Sequence, residues 1–166
     1  YTRIGPIIRN NAEQMPLCRP IRNTGDEGGE FVFLLSESSS FQVNYLYRPG
    51  GVEAPRPITK ESVLHSGDHY KVLFTPDEEA YVYIFQVDTA GQIFQLFPMG
   101  EFKGVVVNNF NPVRKGKTYT LPAEKKSFKL DRQVGREQIY FLAFKERNPE
   151  LEELYRELEE ARGRKD

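Results

Sequence analysis

The densest group of chemistry-bearing residue types is His65-Ser66-Gly67-Asp68-His69. It places a base, a nucleophile and an acid within one short run. A hydrolytic triad needs these groups to converge from separate elements, with the base between nucleophile and orienting acid. Neighbours on one turn point apart, so their adjacency argues against catalysis. As metal ligands, His65, Asp68 and His69 match no strong spacing motif. Folding alone accounts for the run as a tight turn before a strand. Gly67 takes positive φ there, and Ser66 and Asp68 cap local amides. No catalytic residue, no metal ligand and no cofactor is assigned.

Other chemistries are weaker still. Asp77, Glu78, Glu79 and Glu101 supply carboxylates, and glycoside hydrolysis needs a pair of them. The first three sit on a turn and read as solvated charges. Gly25 and Gly28 lack the lysine and the strand–helix context of a phosphate loop. The patterns HExxH, GxSxG and CxxC are absent. A single cysteine, Cys18, excludes an internal disulfide and a cysteine zinc cluster, leaving an intermolecular disulfide or contact.

Charge offers a binding reading. Between residues 113 and 136, Arg114, Lys115, Lys117, Lys125, Lys126, Lys129, Arg132 and Arg136 outweigh Glu124 and Asp131. Such a face suits a carbohydrate or other polyanion, and the candidate ligands to it are Arg114, Lys115, Lys117, Lys125, Lys126 and Lys129. Lysines also guard sheet edges against association, and that reading is favoured. The net charge of −1 provides no global field for nucleic acid, which is not an expected partner. No apolar run approaches the ~18 residues of a membrane span, so no spanning helix is expected.

These residues need elements to hold them. A chain of 166 residues fits one domain with flanking arms. With 12 Phe, 9 Tyr and no Trp, the composition favours strands. Residues 1–30 read as an extended arm interrupted by Pro6, Pro16 and Pro20, with Ile4, Ile7, Ile8 and Leu17 available for burial. The start at Tyr1 reads as a mature or trimmed N-terminus. Residues 31–146 read as one β-domain. In it, Phe41, Val43, Tyr45 and Tyr47 alternate with Gln42, Asn44, Leu46 and Arg48, which puts the first set towards a core. Tyr70, Val72 and Phe74 repeat the pattern.

The run Ala80–Val87 is apolar on both faces, with Tyr81, Tyr83, Phe85 and Val87 against Ala80, Val82 and Ile84. Such a strand is either central in a packed sandwich or exposes an aromatic stripe. Strands recurring every ~8–12 residues predict an antiparallel β-sandwich of Ig-like or related type. Residues 147–166 change period. Leu151, Leu154, Tyr155 and Leu158 form one helical stripe, with Asn148 as N-cap, Pro149 at the first position and Gly163 as the stop. That stripe packs on the sandwich or contacts a partner chain.

Several motifs recur in a recognisable order. They are Leu64-His65-Ser66-Gly67-Asp68, Phe74-Thr75-Pro76, Ala80-Tyr81-Val82-Tyr83-Ile84-Phe85, and Asp88-Thr89-Ala90-Gly91 with Leu96-Phe97-Pro98. Gly116, Thr120-Leu121-Pro122 and Gly135-Arg136-Glu137 follow. This order resembles the bacterial domain-of-unknown-function family 4384, over roughly residues 60–145. The resemblance implies an accessory β-module, extracytoplasmic in the periplasm or at the cell surface, with no catalytic residues to carry over. The expected function is therefore a non-enzymatic interaction module of a bacterial envelope or surface assembly. A protein partner or homo-oligomer would be held by Ile4, Ile7 and Ile8 of the arm and by Leu151, Leu154, Tyr155 and Leu158. The alternative is a carbohydrate- or polyanion-binding domain, and a hydrolase is the remote third.

Overall fold

The computed structural model of the chain describes residues 6, 18–20, 32–36, 41–59, 62–88, 90–132 and 135–164. The strands described are β1 (Cys18–Pro20), β2 (Val32–Ser36), β3 (Phe41–Arg48), β4 (Arg56–Pro57), β5 (His69–Pro76), β6 (Tyr81–Val87), β7 (Ile93–Phe97), β8 (Met99–Phe102), β9 (Val105–Asn109), β10 (Tyr119–Leu121), β11 (Phe128–Lys129) and β12 (Arg136–Phe144). The helix α1 spans Pro149–Gly163. A first sheet has the order β1-β2-β12-β6-β7. A second has the order β10-β5-β3-β4, with β11 also pairing β5. Strands β8 and β9 form a separate hairpin. Among the described residues, pairing is antiparallel except between β12 and β2.

Alternation explains the second sheet. Strands β3 and β5 pair along their full lengths, from Phe41 opposite Pro76 to Arg48 opposite His69. Burial in β5 alternates without a break, with Tyr70, Val72 and Phe74 turned inward. These side chains meet Val82, Ile84, Phe97, Ile139 and Phe141 of the first sheet in one core. Phe74 is its hub: its ring stacks on Tyr119 at 5.1 Å and meets Phe97 at 5.3 Å and Phe141 at 6.1 Å edge-on. Such ring pairs contribute about 0.5–1.5 kcal/mol each beyond their area burial. The two sheets thus face each other, and the expected antiparallel β-architecture with a C-terminal helix is observed.

The other face of β6 is covered by the helix. Tyr83 and Phe85 join Ile93, Leu142 and Leu151 in a second cluster, against which Leu154, Tyr155 and Leu158 pack half-buried. The predicted cap is present: Asn148 Oδ1 accepts from the Leu151 N–H at 3.0 Å, with Pro149 in the first turn. Polar atoms fix the docking. The Tyr83 hydroxyl donates to Glu152 Oε1 at 2.7 Å and accepts from the Asn148 N–H at 3.1 Å. The Tyr155 hydroxyl accepts from the Gln95 N–H at 2.9 Å, and Arg162 donates to the Ile93 carbonyl. Both backbone groups belong to β7, which ends the first sheet, so the helix also covers part of an edge.

Some expectations change. Cys18–Pro20, inside the segment read as an arm, forms β1 against β2. The remaining arm residues that were candidate contacts, Ile4, Ile7 and Ile8, lie outside the described residues. Between β3 and β5 the chain adds β4, which pairs with Leu46 and Tyr47 of β3. Residues 105–109 form one arm of the β8–β9 hairpin.

Leu151 is fully buried, so Leu151→Ala is expected to cost about 2–5 kcal/mol in urea denaturation, and half-buried Leu158→Ala less. Burial pushes the Tyr83 and Tyr155 phenols up to about 12. Between about pH 10 and pH 12 the native state then binds more protons than the unfolded state, so stability falls as pH rises through that window. The Arg147 hydrogen bond holds the Glu152 carboxyl below its ordinary value, so its contribution is present at neutral pH and is lost on acidification. Tyr83→Phe is expected to weaken the alkaline dependence, as read from denaturation midpoints across pH.

Candidate functional site

The His65–His69 run is used for structure. Asp68 is only 4 % exposed. Its Oδ2 accepts from the His65 N–H and its Oδ1 from the Gly50 N–H, both at 2.8 Å. The Ser66 hydroxyl donates to the Asp131 carbonyl at 2.6 Å. Gly67, at φ +92°, donates its N–H to the Leu130 carbonyl, and Leu130 donates back to Asp68. The carboxylate therefore ties the 49–51 turn to the start of β5, and the hydroxyl ties that start to the segment after β11. His69 lies on the outer face of β5 with its ring against Gly51. A Cβ at Gly51 would come within 2.7 Å of His69 Nε2, so only glycine allows this approach. Among the described residues, no group of three or more His, Cys, Asp or Glu is arranged to hold a metal ion.

The basic candidates fall along one sheet edge. Strands β10 and β11 pair successive stretches of β5: Tyr119 to Leu121 lie opposite Phe74 to Val72, and Phe128 and Lys129 lie opposite Tyr70 and His69. Arg114, Lys115 and Lys117 precede β10, Lys125 and Lys126 lie between the two strands, and Lys129 is on β11. All are exposed except half-buried Lys126. Lys117 Nζ sits 4.9 Å from the Tyr119 ring centre. Among the described residues none of the six forms an ion pair. The structure thus brings them together along an edge, where lysines oppose sheet-to-sheet association. The helix candidates Leu151, Leu154, Tyr155 and Leu158 face β6 and its neighbours within the chain.

Sequence reasoning did not find β8 or its pairing with β9 in a hairpin. The hairpin turns at Lys103 and Gly104, both at positive φ. Val106 is 67 % exposed and Phe110 57 %, with Val105 also exposed. A groove of about 590 Å³ separates the hairpin from α1. Phe94, Phe102 and Phe128 line it, with Lys103 and Arg162 at their rings. Phe102 meets Phe128 at 5.3 Å, and the Arg162 guanidinium lies 4.6 Å from the Phe94 ring centre. The available signal was the run Val105-Val106-Val107. Consecutive valines on a two-stranded ribbon must turn at least one outward.

Residues 63–147 match the family model described as Domain of unknown function (DUF4384). The chain belongs to the DUF4384 family. No curated protein and no solved structure matches it. The DUF4384 match runs from just before the Asp68 turn to just before the helix cap. It includes β5 through β12, the basic edge and the hairpin. Strand β3, which supplies Phe41 and Tyr45 to the core, lies outside the DUF4384 match, as does α1. Asp68→Ala leaves two backbone donors without their acceptor and is expected to cost about 2–4 kcal/mol, measured by urea denaturation.

Proposed function

We propose that this chain is a non-enzymatic accessory module that docks on a protein partner within a bacterial envelope or surface assembly. The observation that carries the reading is the apolar surface of the β8–β9 hairpin. Val106 and Phe110, four positions apart, stand mostly in water, and Phe102 and Lys103 of the same hairpin line an aromatic groove with Arg162. Exposed apolar clusters with polar rims mark interaction surfaces, and aromatic and Arg residues dominate contact energies. The structural use of Ser66 and Asp68 supports the non-enzymatic reading. The envelope setting rests on the family resemblance.

Pull-down from the native source is expected to recover a partner in fixed ratio with the wild-type chain, and to lose it with Val106→Asp combined with Phe110→Ala. Equal recovery by both would sink the proposal. Light scattering on the purified chain distinguishes a second copy from a foreign partner.

A second reading is polyanion binding along the β10–β11 edge, supported by the row of exposed cations without ion pairs among the described residues. It predicts salt-sensitive retention on heparin, weakened when Lys125, Lys126 and Lys129 are changed to Glu. Elution at the same salt concentration would remove this reading.

A further inference from the structure

We propose that the outer face of the second sheet carries a binding pocket for a small organic anion, one with an oxyanion head and an apolar body. The pocket is a cavity of about 250 Å³ over β3, β5 and β10. Solvent faces of sandwich sheets are ordinarily polar, whereas this one is concave and mixes two chemistries. Leu46 and Leu73 supply apolar floor, and Arg48, His69 and Lys71 supply nitrogen donors. Register creates the grouping: Arg48 lies opposite His69, and Leu46 opposite Lys71. Pro55, just before β4, and the 122–127 loop wall the pocket on two sides.

The electrostatics favour an anion. Lys71 Nζ donates to the carbonyls of Ala123 and Glu124, so the loop holds it by main chain rather than by carboxylate. Among the described residues, none of Arg48, His69 and Lys71 forms an ion pair. Burial and the neighbouring Arg48 charge both pull the Lys71 pKa below the usual lysine value, against a smaller opposing pull from Glu124. Two cations gathered at one partly desolvated site repel each other, and a bound oxyanion would relieve that repulsion. The donor set is also held in place. The Asp68–Gly50 hydrogen bond fixes the 49–51 turn, and Gly51 seats the His69 ring. A preorganised site loses less on binding. Phosphate and carboxylate share the head chemistry this site would take.

The test is a nuclear magnetic resonance titration of the full chain with inorganic phosphate, acetate, phenyl phosphate and benzoate. Expected are saturable shifts confined to β3, β5 and the 122–127 loop. The ligands with a ring should bind about tenfold tighter than their bare head groups, because the ring reaches the leucine floor. The tighter of phenyl phosphate and benzoate identifies the head. Arg48→Gln, at an exposed side chain, should weaken binding about tenfold without loss of fold, and Lys71→Met should do the same. Shifts that do not saturate would overturn the proposal. So would wild-type affinity in Arg48→Gln and Lys71→Met, or an equal loss in Lys125→Gln outside the pocket. The hairpin variant Val106→Asp is expected to bind these anions normally, so this result is independent of the partner-docking reading.

Discussion

Strand β6 presents large apolar side chains to both sides of its sheet, and both must be removed from water. Val82 and Ile84 are covered by the second sheet, and Tyr83 and Phe85 by α1. Full burial of side chains this size contributes about 1.5–3 kcal/mol each, so a sheet left bare on either side would forfeit much of its stability. The layered arrangement of sheet, sheet and helix follows from this one strand. Tyr83 adds a polar condition. Its buried hydroxyl needs partners, and Glu152 and the Asn148 amide provide them at the first turn of the helix. The cap that starts α1 is thus also the contact that docks it.

A second constraint works at the start of β5. The Asp68 carboxylate collects two amides from chain segments that β3 and β5 bring together. It fixes where β5 begins and how the 49–51 turn lies beside it. The outer-face residues of β3 and β5 inherit that register, which sets Arg48 beside His69 and Leu46 beside Lys71. A motif with the residue types of a catalytic group serves here as a clamp. What it positions is a neighbouring surface, not its own side chains.

The family match stops short of what the fold needs. The matched segment ends before α1 and begins after β3, yet β3 completes the second sheet and α1 covers the outer face of β6. The hairpin lies within the match, whereas α1, outside it, supplies one wall of the groove beside the hairpin.

Period-two alternation in β3 and β5 determined, from sequence alone, which residues face the core, because side chains alternate along an extended chain. The Asn148 cap and the Leu151, Leu154, Tyr155, Leu158 spacing determined the helix, and the ordered turn motifs carried the family. These signals are local, and they say which face is apolar without saying what covers it. Only the tertiary structure decided that the helical stripe lies on β6. It paired β10 and β11 with successive stretches of β5, which sets the basic segment along one sheet edge. It also assembled Arg48, His69 and Lys71 over Leu46 and Leu73, and left Val106 and Phe110 in water. Each of these depends on pairings between segments distant in sequence. Such pairings are selected by packing of the whole core, which no local run of residues encodes.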